Sequence, residues 1–141
     1  MAAPRHTHRV PPLAWVTIAG GVLIVLFWSL YFAGAAGFGQ ADPRKRIFEA
    51  AFPVADGVLA ATLVATGILL ARGRRATAAF TLVAAAAQTL FLGLLDATFH
   101  TVHGYYWPLN AEAVIAVAIN GLCIGGGLLG LRAAWRLWSP A

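Results

Sequence analysis

Four uncharged apolar runs, Leu13 to Gln40, Gly57 to Ala71, Ala76 to Leu95 and Ala113 to Leu131, constrain this chain more than any other feature. A transmembrane helix needs about 20 mostly apolar residues to cross roughly 30 Å of hydrocarbon. The runs predict an all-α fold, a four-transmembrane-helix bundle forming one membrane domain over 1–141, with spans at about 13–34, 48–71, 76–100 and 111–132. The second run is too short alone, so its helix must begin upstream and carry Asp56 into the bilayer. Between the second and third spans lie only Arg72, Gly73, Arg74 and Arg75, which requires an antiparallel hairpin. Composition agrees: 60% hydrophobic against 11% charged residues, far from the soluble balance of about 25% charged. The lipid bilayer is the first expected partner.

Orientation follows from Lys and Arg, which are in excess on the cytoplasmic side. Arg5, Arg9, Arg72, Arg74, Arg75, Arg132 and Arg136 fall on one side, and only Arg44, Lys45 and Arg46 on the other. Both termini are therefore expected in the cytoplasm, with the bundle in the cytoplasmic membrane. The apolar core of the first span far exceeds the roughly 7–15 residues of a signal-peptide core, so the first span reads as a retained helix. His6 and His8, in a short basic tail, read as disordered or facing lipid headgroups rather than a metal.

This topology puts all five acidic residues on the outer half: Asp42, Glu49, Asp56, Asp96 and Glu112. His100 and His103 join them. A carboxylate at a helix centre costs about 2.5–3.5 kcal/mol on insertion scales, so Asp56 must face the bundle, take a partner or be protonated. Glu49 and Asp56 are seven residues apart, and Asp96, His100 and His103 follow an i, i+4, i+7 pattern. The two stripes lie on hairpin neighbours and can meet, provided the second helix starts before Pro53. If it starts at Phe52, Glu49 leaves the stripe. Glu112 approaches from the fourth span, with Asn110 as its N-cap.

The cluster supports more than one chemistry. Asp96, His100 and His103 are candidate metal ligands, since carboxylates suit hard ions and imidazole suits zinc and its neighbours. Asp96 and His103, with Asp56 beside them, are the candidates for acid–base work, because histidine titrates near neutrality. No phosphate loop, nucleophile elbow or zinc-protease motif occurs, so the sequence names no reaction and whether the protein is an enzyme stays open. The cofactor is likewise unknown: haem is disfavoured because no histidine lies well inside a span, whereas quinone or lipid-tail binding stays open. Basicity here reflects membrane topology, and no nucleic-acid partner is expected. Gly121, Gly125, Gly126 and Gly130 give GxxxG spacings for close packing inside the bundle, or against a second copy or a membrane partner. Gln88 and Asn120, near mid-membrane, read as interhelical hydrogen-bonding residues, and Cys123 as a small buried apolar residue.

Phe52, Pro53, Ala55 and Asp56 form an FPxAD element, and Leu92 to Asp96 with His103, Gly104 and Tyr106 form LGLLD followed by HGxY. These motifs resemble those of a family of small, uncharacterised bacterial four-helix integral membrane proteins. The resemblance covers most of the chain and implies that Asp56, Asp96, His103 and Tyr106 belong to a shared polar pattern, without implying an activity. His100 departs from it, standing where the family has an amide residue such as Asn.

Three functions remain. The first is an outward-facing pocket of Glu49, Asp56, Asp96, His100, His103, Tyr106 and Glu112 that binds a small molecule, lipid headgroup or metal. The second is a structural or accessory subunit in which the same residues lock helices together. The third is a proton-coupled transporter working as a dimer.

Overall fold

The structure, a computed structural model, describes residues 10–34 and 42–139. Arg5, His6, His8, Arg9 and most of the connection after the first span lie outside the described residues. The protein is all-α: α1 (Pro12–Phe32), α2 (Pro43–Glu49), α3 (Phe52–Ala71), α4 (Arg75–Val102) and α5 (Ala111–Trp138). Four segments are long and apolar enough to cross a membrane, namely α1, α2 with α3, α4 and α5. The chain is thus a multi-pass membrane protein built as a four-span bundle.

Helix ends follow local chemistry. Asp42 caps α2 by accepting from the Arg44 N–H at 2.8 Å, with Pro43 in the first helical position. The second span therefore starts several residues earlier than expected and is broken rather than smooth. Pro53 has no N–H to offer the preceding turn, and the chain re-enters a helix at Phe52. Ala50 and Ala51 at this break both stay in the right-handed helical region, so the helical phase passes through it. The hairpin between α3 and α4 turns at Gly73, whose φ of 71° favours glycine. There the Arg74 N–H reaches Leu69 O at 2.9 Å and the Gly73 N–H reaches Leu70 O at 3.0 Å, closing a Schellman cap. Gly104 repeats the device after α4, with the Tyr105 N–H bonded to His100 O at 2.9 Å. Nothing breaks α5 at Arg132, and it continues to Trp138.

Packing uses small residues, as expected where lipid removes the hydrophobic drive and close van der Waals contact replaces it. The α1–α3 seam closes at Gly21 and Gly67: a Cβ on Gly21 would lie 2.7 Å from Ala60 O, and one on Gly67 2.6 Å from Ala14 O. The α4–α5 seam closes at Gly93, against Cys123, and at Gly127, against Leu90. Between α3 and α4, Thr66 bonds Thr81 at 2.8 Å and Gln88 Nε2 donates to Ala55 O at 2.7 Å. Large apolar side chains such as Leu23, Phe91, Leu122 and Leu129 point outward.

The expectation for the GxxxG glycines needs correcting. Only Gly130 meets a neighbour, Ala86, whereas Gly121, Gly125 and Gly126 have nothing within 4 Å of a built Cβ. Gly127, which belongs to neither spacing, makes the close approach. The sequence gives the period of a helix but not the direction of its partner, and α4 lies on the Gly127 side.

Neighbouring helices pack as α1 on α3, α3 on α4 and α4 on α5, while no α1–α5 Cα pair comes within 8 Å. The bundle is a curled row with a gap between its first and last members. At the arginine end, Leu13 and Leu137 both pack on Ala14, Leu70 and Ala78 and close the gap. Toward the acidic end the gap widens into a cavity.

Candidate functional site

The cavity measures about 150 Å³ and draws on every helix. Its apolar wall includes Phe27 of α1, Phe52 of α3, Leu92 of α4, and Ile115 and Ile119 of α5. Glu49, Asp56, Asp96, His100 and Glu112 all line it. Although α3 starts at Phe52, Glu49 keeps its place, because the helical phase survives the break at Ala50–Ala51.

Each acid has an identified donor or cation beside it. Trp28 Nε1 donates to Asp56 Oδ2 at 2.8 Å, and Tyr31 OH donates to Glu49 Oε2 at 3.0 Å. Lys45, buried on α2, pairs with Glu112 of α5 and lies 3.8 Å from Glu49 Oε1. His100 Nδ1 lies 3.0 Å from the Asp96 backbone oxygen and 3.4 Å from Asp96 Oδ1. A carbonyl only accepts, so a hydrogen bond to the Asp96 backbone requires a proton on Nδ1. Tyr106 stands behind this group, stacked on His100 with ring centres 5.3 Å apart.

Asn120 is the exception to this pairing. Its Nδ2 donates to Tyr106 OH at 2.9 Å, but Oδ1 is buried with no partner among the described residues. A buried carbonyl left unpaired costs about 1–3 kcal/mol. The cavity therefore combines four carboxylates and an orphan amide oxygen with one fixed cation, Lys45. Its chemistry is that of an acceptor: it complements hydrogen-bond donors and positive charge.

His103 is not brought into this group. It is the exposed C-cap of α4, its ring 4.6 Å from that of Phe99. The pairing of Asp96 with His103 for acid–base work, and the set of Asp96, His100 and His103 as metal ligands, are therefore not assembled. His103 keeps its helical N–H bond to Phe99 O but stands about two turns beyond Asp96, at the exposed end of α4. Among the described residues no three His, Cys, Asp or Glu side chains come together as a metal-ligand group.

Sequence reasoning missed Trp28 and Tyr31 as site residues, and Lys45, read only as a topological charge. The i, i+4 spacing of Lys45 and Glu49 was the available signal. It also missed the tie across the mouth, where Tyr105 OH donates to Asp42 Oδ2 at 2.5 Å. Phe48 stacks on Phe99 beside it, centres 3.7 Å apart, so α2 lies across the acidic end and is fastened to α4 and to the α4–α5 connection.

The Asp42–Tyr105 tie has a pH signature. The Tyr105 hydrogen bond, helped by the Arg44 N–H, holds the Asp42 carboxyl below its ordinary value. A lowered carboxyl contributes while ionised, so the tie is present above about pH 4 and is lost as pH falls through the folded value. Tyr105→Phe is expected to move the Asp42 titration upward, read by carboxyl-carbon NMR in micelles. An unmoved titration would mean that the phenol does not hold the carboxylate.

Comparison of this chain with protein-family models, with curated proteins and with solved structures gives no match.

Proposed function

We propose that the protein is a membrane-embedded binding protein whose cavity holds a small amphiphile with a donor-bearing, cationic head. The head sits among Asp56, Asp96, Glu112 and Asn120, and the apolar part lies along Phe27, Phe52 and Ile119. Asn120 carries this reading: an orphan acceptor inside a cavity already rich in carboxylates supports a ligand that supplies donors. The arginine-rich end faces the cytoplasm in this proposal, so the site opens toward the outer leaflet of a bacterial cytoplasmic membrane. Its FPxAD and LGLLD–HGxY motifs resemble those of small four-helix membrane proteins.

A long-chain primary amine, with the alcohol and carboxylate of the same chain length as controls, tests the idea in lipid nanodiscs through the fluorescence of a variant that keeps Trp28 and replaces the other four tryptophans with phenylalanine. Amine binding should exceed that of the carboxylate. Asp96→Asn should weaken amine binding by about tenfold or more, as expected for a charged hydrogen bond, with thermal stability nearly unchanged. Equal binding of all three compounds would refute it.

The second reading, a structural subunit, draws on the bonds Trp28–Asp56, Tyr31–Glu49 and Lys45–Glu112, each of which joins two helices. It expects Asp56→Asn to lower stability with no effect on any ligand.

A further inference from the structure

We propose that a second site, at the opposite end of the bundle, binds the phosphate group of an anionic phospholipid. There a groove of about 540 Å³ is lined by Leu13 of α1, Arg75 of α4, and Leu129, Arg132, Arg136 and Leu137 of α5. Arg132 and Arg136 are four apart on one helical face. All three guanidinium groups are exposed, and none forms an ion pair or side-chain hydrogen bond among the described residues. Among the described residues every acidic side chain lies at the far end of the bundle, away from these arginines.

Guanidinium is the side-chain group best matched to phosphate, with planar paired donors and weak hydration. The groove is not merely cationic. Leu13 and Leu137 form part of its floor and pack on the core at Ala14, Leu70 and Ala78. Trp135 and Trp138, exposed on the same stretch of α5, mark the headgroup level. A free phosphate uses the guanidinium groups and leaves the apolar floor bare. A phospholipid uses both, its headgroup at the arginines and an acyl chain along the leucines.

The test uses the full chain in mild detergent, titrated with dioleoyl phosphatidylglycerol and, separately, dioleoyl phosphatidylcholine, with bound lipid counted by native mass spectrometry. Phosphatidylglycerol is expected to be retained well above phosphatidylcholine. A juxtamembrane Arg strengthens anionic binding by about fivefold, so Arg132→Gln with Arg136→Gln should reduce phosphatidylglycerol binding on the order of 25-fold. The control Arg72→Gln with Arg74→Gln removes equal charge outside the groove and should keep the preference. Should the double variant fold poorly, Arg136→Gln alone should show a fivefold loss. Equal retention of the two lipids, or equal losses from the groove and control variants, would overturn the site. Displacement of phosphatidylglycerol by millimolar inorganic phosphate would assign the groove to free phosphate and overturn the lipid proposal.

Discussion

Gly67→Ala is expected to destabilise the bundle by about 3 kcal/mol, the upper end of what overpacking a tight core usually costs. The added methyl would sit 2.5 Å from Ile18 Cγ1, 2.6 Å from Ala14 O and 2.8 Å from Thr17 Oγ1. Ile18 can turn aside, but Ala14 O belongs to the backbone of α1, and Thr17 is held by its own bonds to Leu13 O and Ala14 O. Relief therefore means moving α1 off α3 along the whole seam, which also separates Gly21 from Ala60. Gly121→Ala and Gly125→Ala give the contrast. Both positions open on empty space, and alanine is the better helix former by about 1 kcal/mol, so neither should lose stability. Thermal unfolding in detergent measures all three. Should Gly67→Ala unfold like the wild type, α1 does not lie against α3 as described. The larger variant Gly125→Leu separates the remaining role of that stripe: a change in oligomeric state at unchanged stability would make it a surface between copies.

Lys45→Met is expected to cost about 2–3 kcal/mol. The Lys45 side chain is 10% exposed, and its partners Glu49 and Glu112 are 21% and 45% exposed. Breaking a fully buried pair costs about 3–5 kcal/mol, because the surviving charge is stranded. Glu112 is nearly half in solvent, which reduces that figure. The methionine keeps the apolar stem, so the loss reports charge rather than volume. Adding Glu112→Gln should recover part of the stability, since it removes one of the two stranded carboxylates. A double-mutant cycle on thermal unfolding reads the coupling directly. Independent, additive losses would mean that α2 is not fastened to α5 by this pair.

Lys45 also shows where the sequence was legible and where it was not. The four spans, the hairpin at Arg72–Arg75 and the gathering of acids at one end follow from hydropathy and charge, which depend only on chain order. Asp96 and His100 were legible as an i, i+4 contact within one helix. The rest required knowing which way helices face. Gly121, Gly125, Gly126, Gly127 and Gly130 all lie on α5, and only the packing of α4 reveals that Gly127 and Gly130 touch it. Lys45 reads as a surface cation until α2 is laid across the bundle mouth and Glu112 arrives from 67 residues away. His103 shares the stripe by spacing, but about two turns beyond Asp96 it reaches the exposed end of α4.

The missing contact between α1 and α5 has a consequence for how any occupant of the cavity is measured. In the proposed function an occupant enters between α1 and α5 and exchanges with lipid rather than with bulk water. The relevant reservoir is then the bilayer itself, and occupancy tracks the mole fraction of a compound dissolved there. Diluting the protein at fixed lipid-to-protein ratio should leave the site filled, whereas adding empty vesicles should drain it.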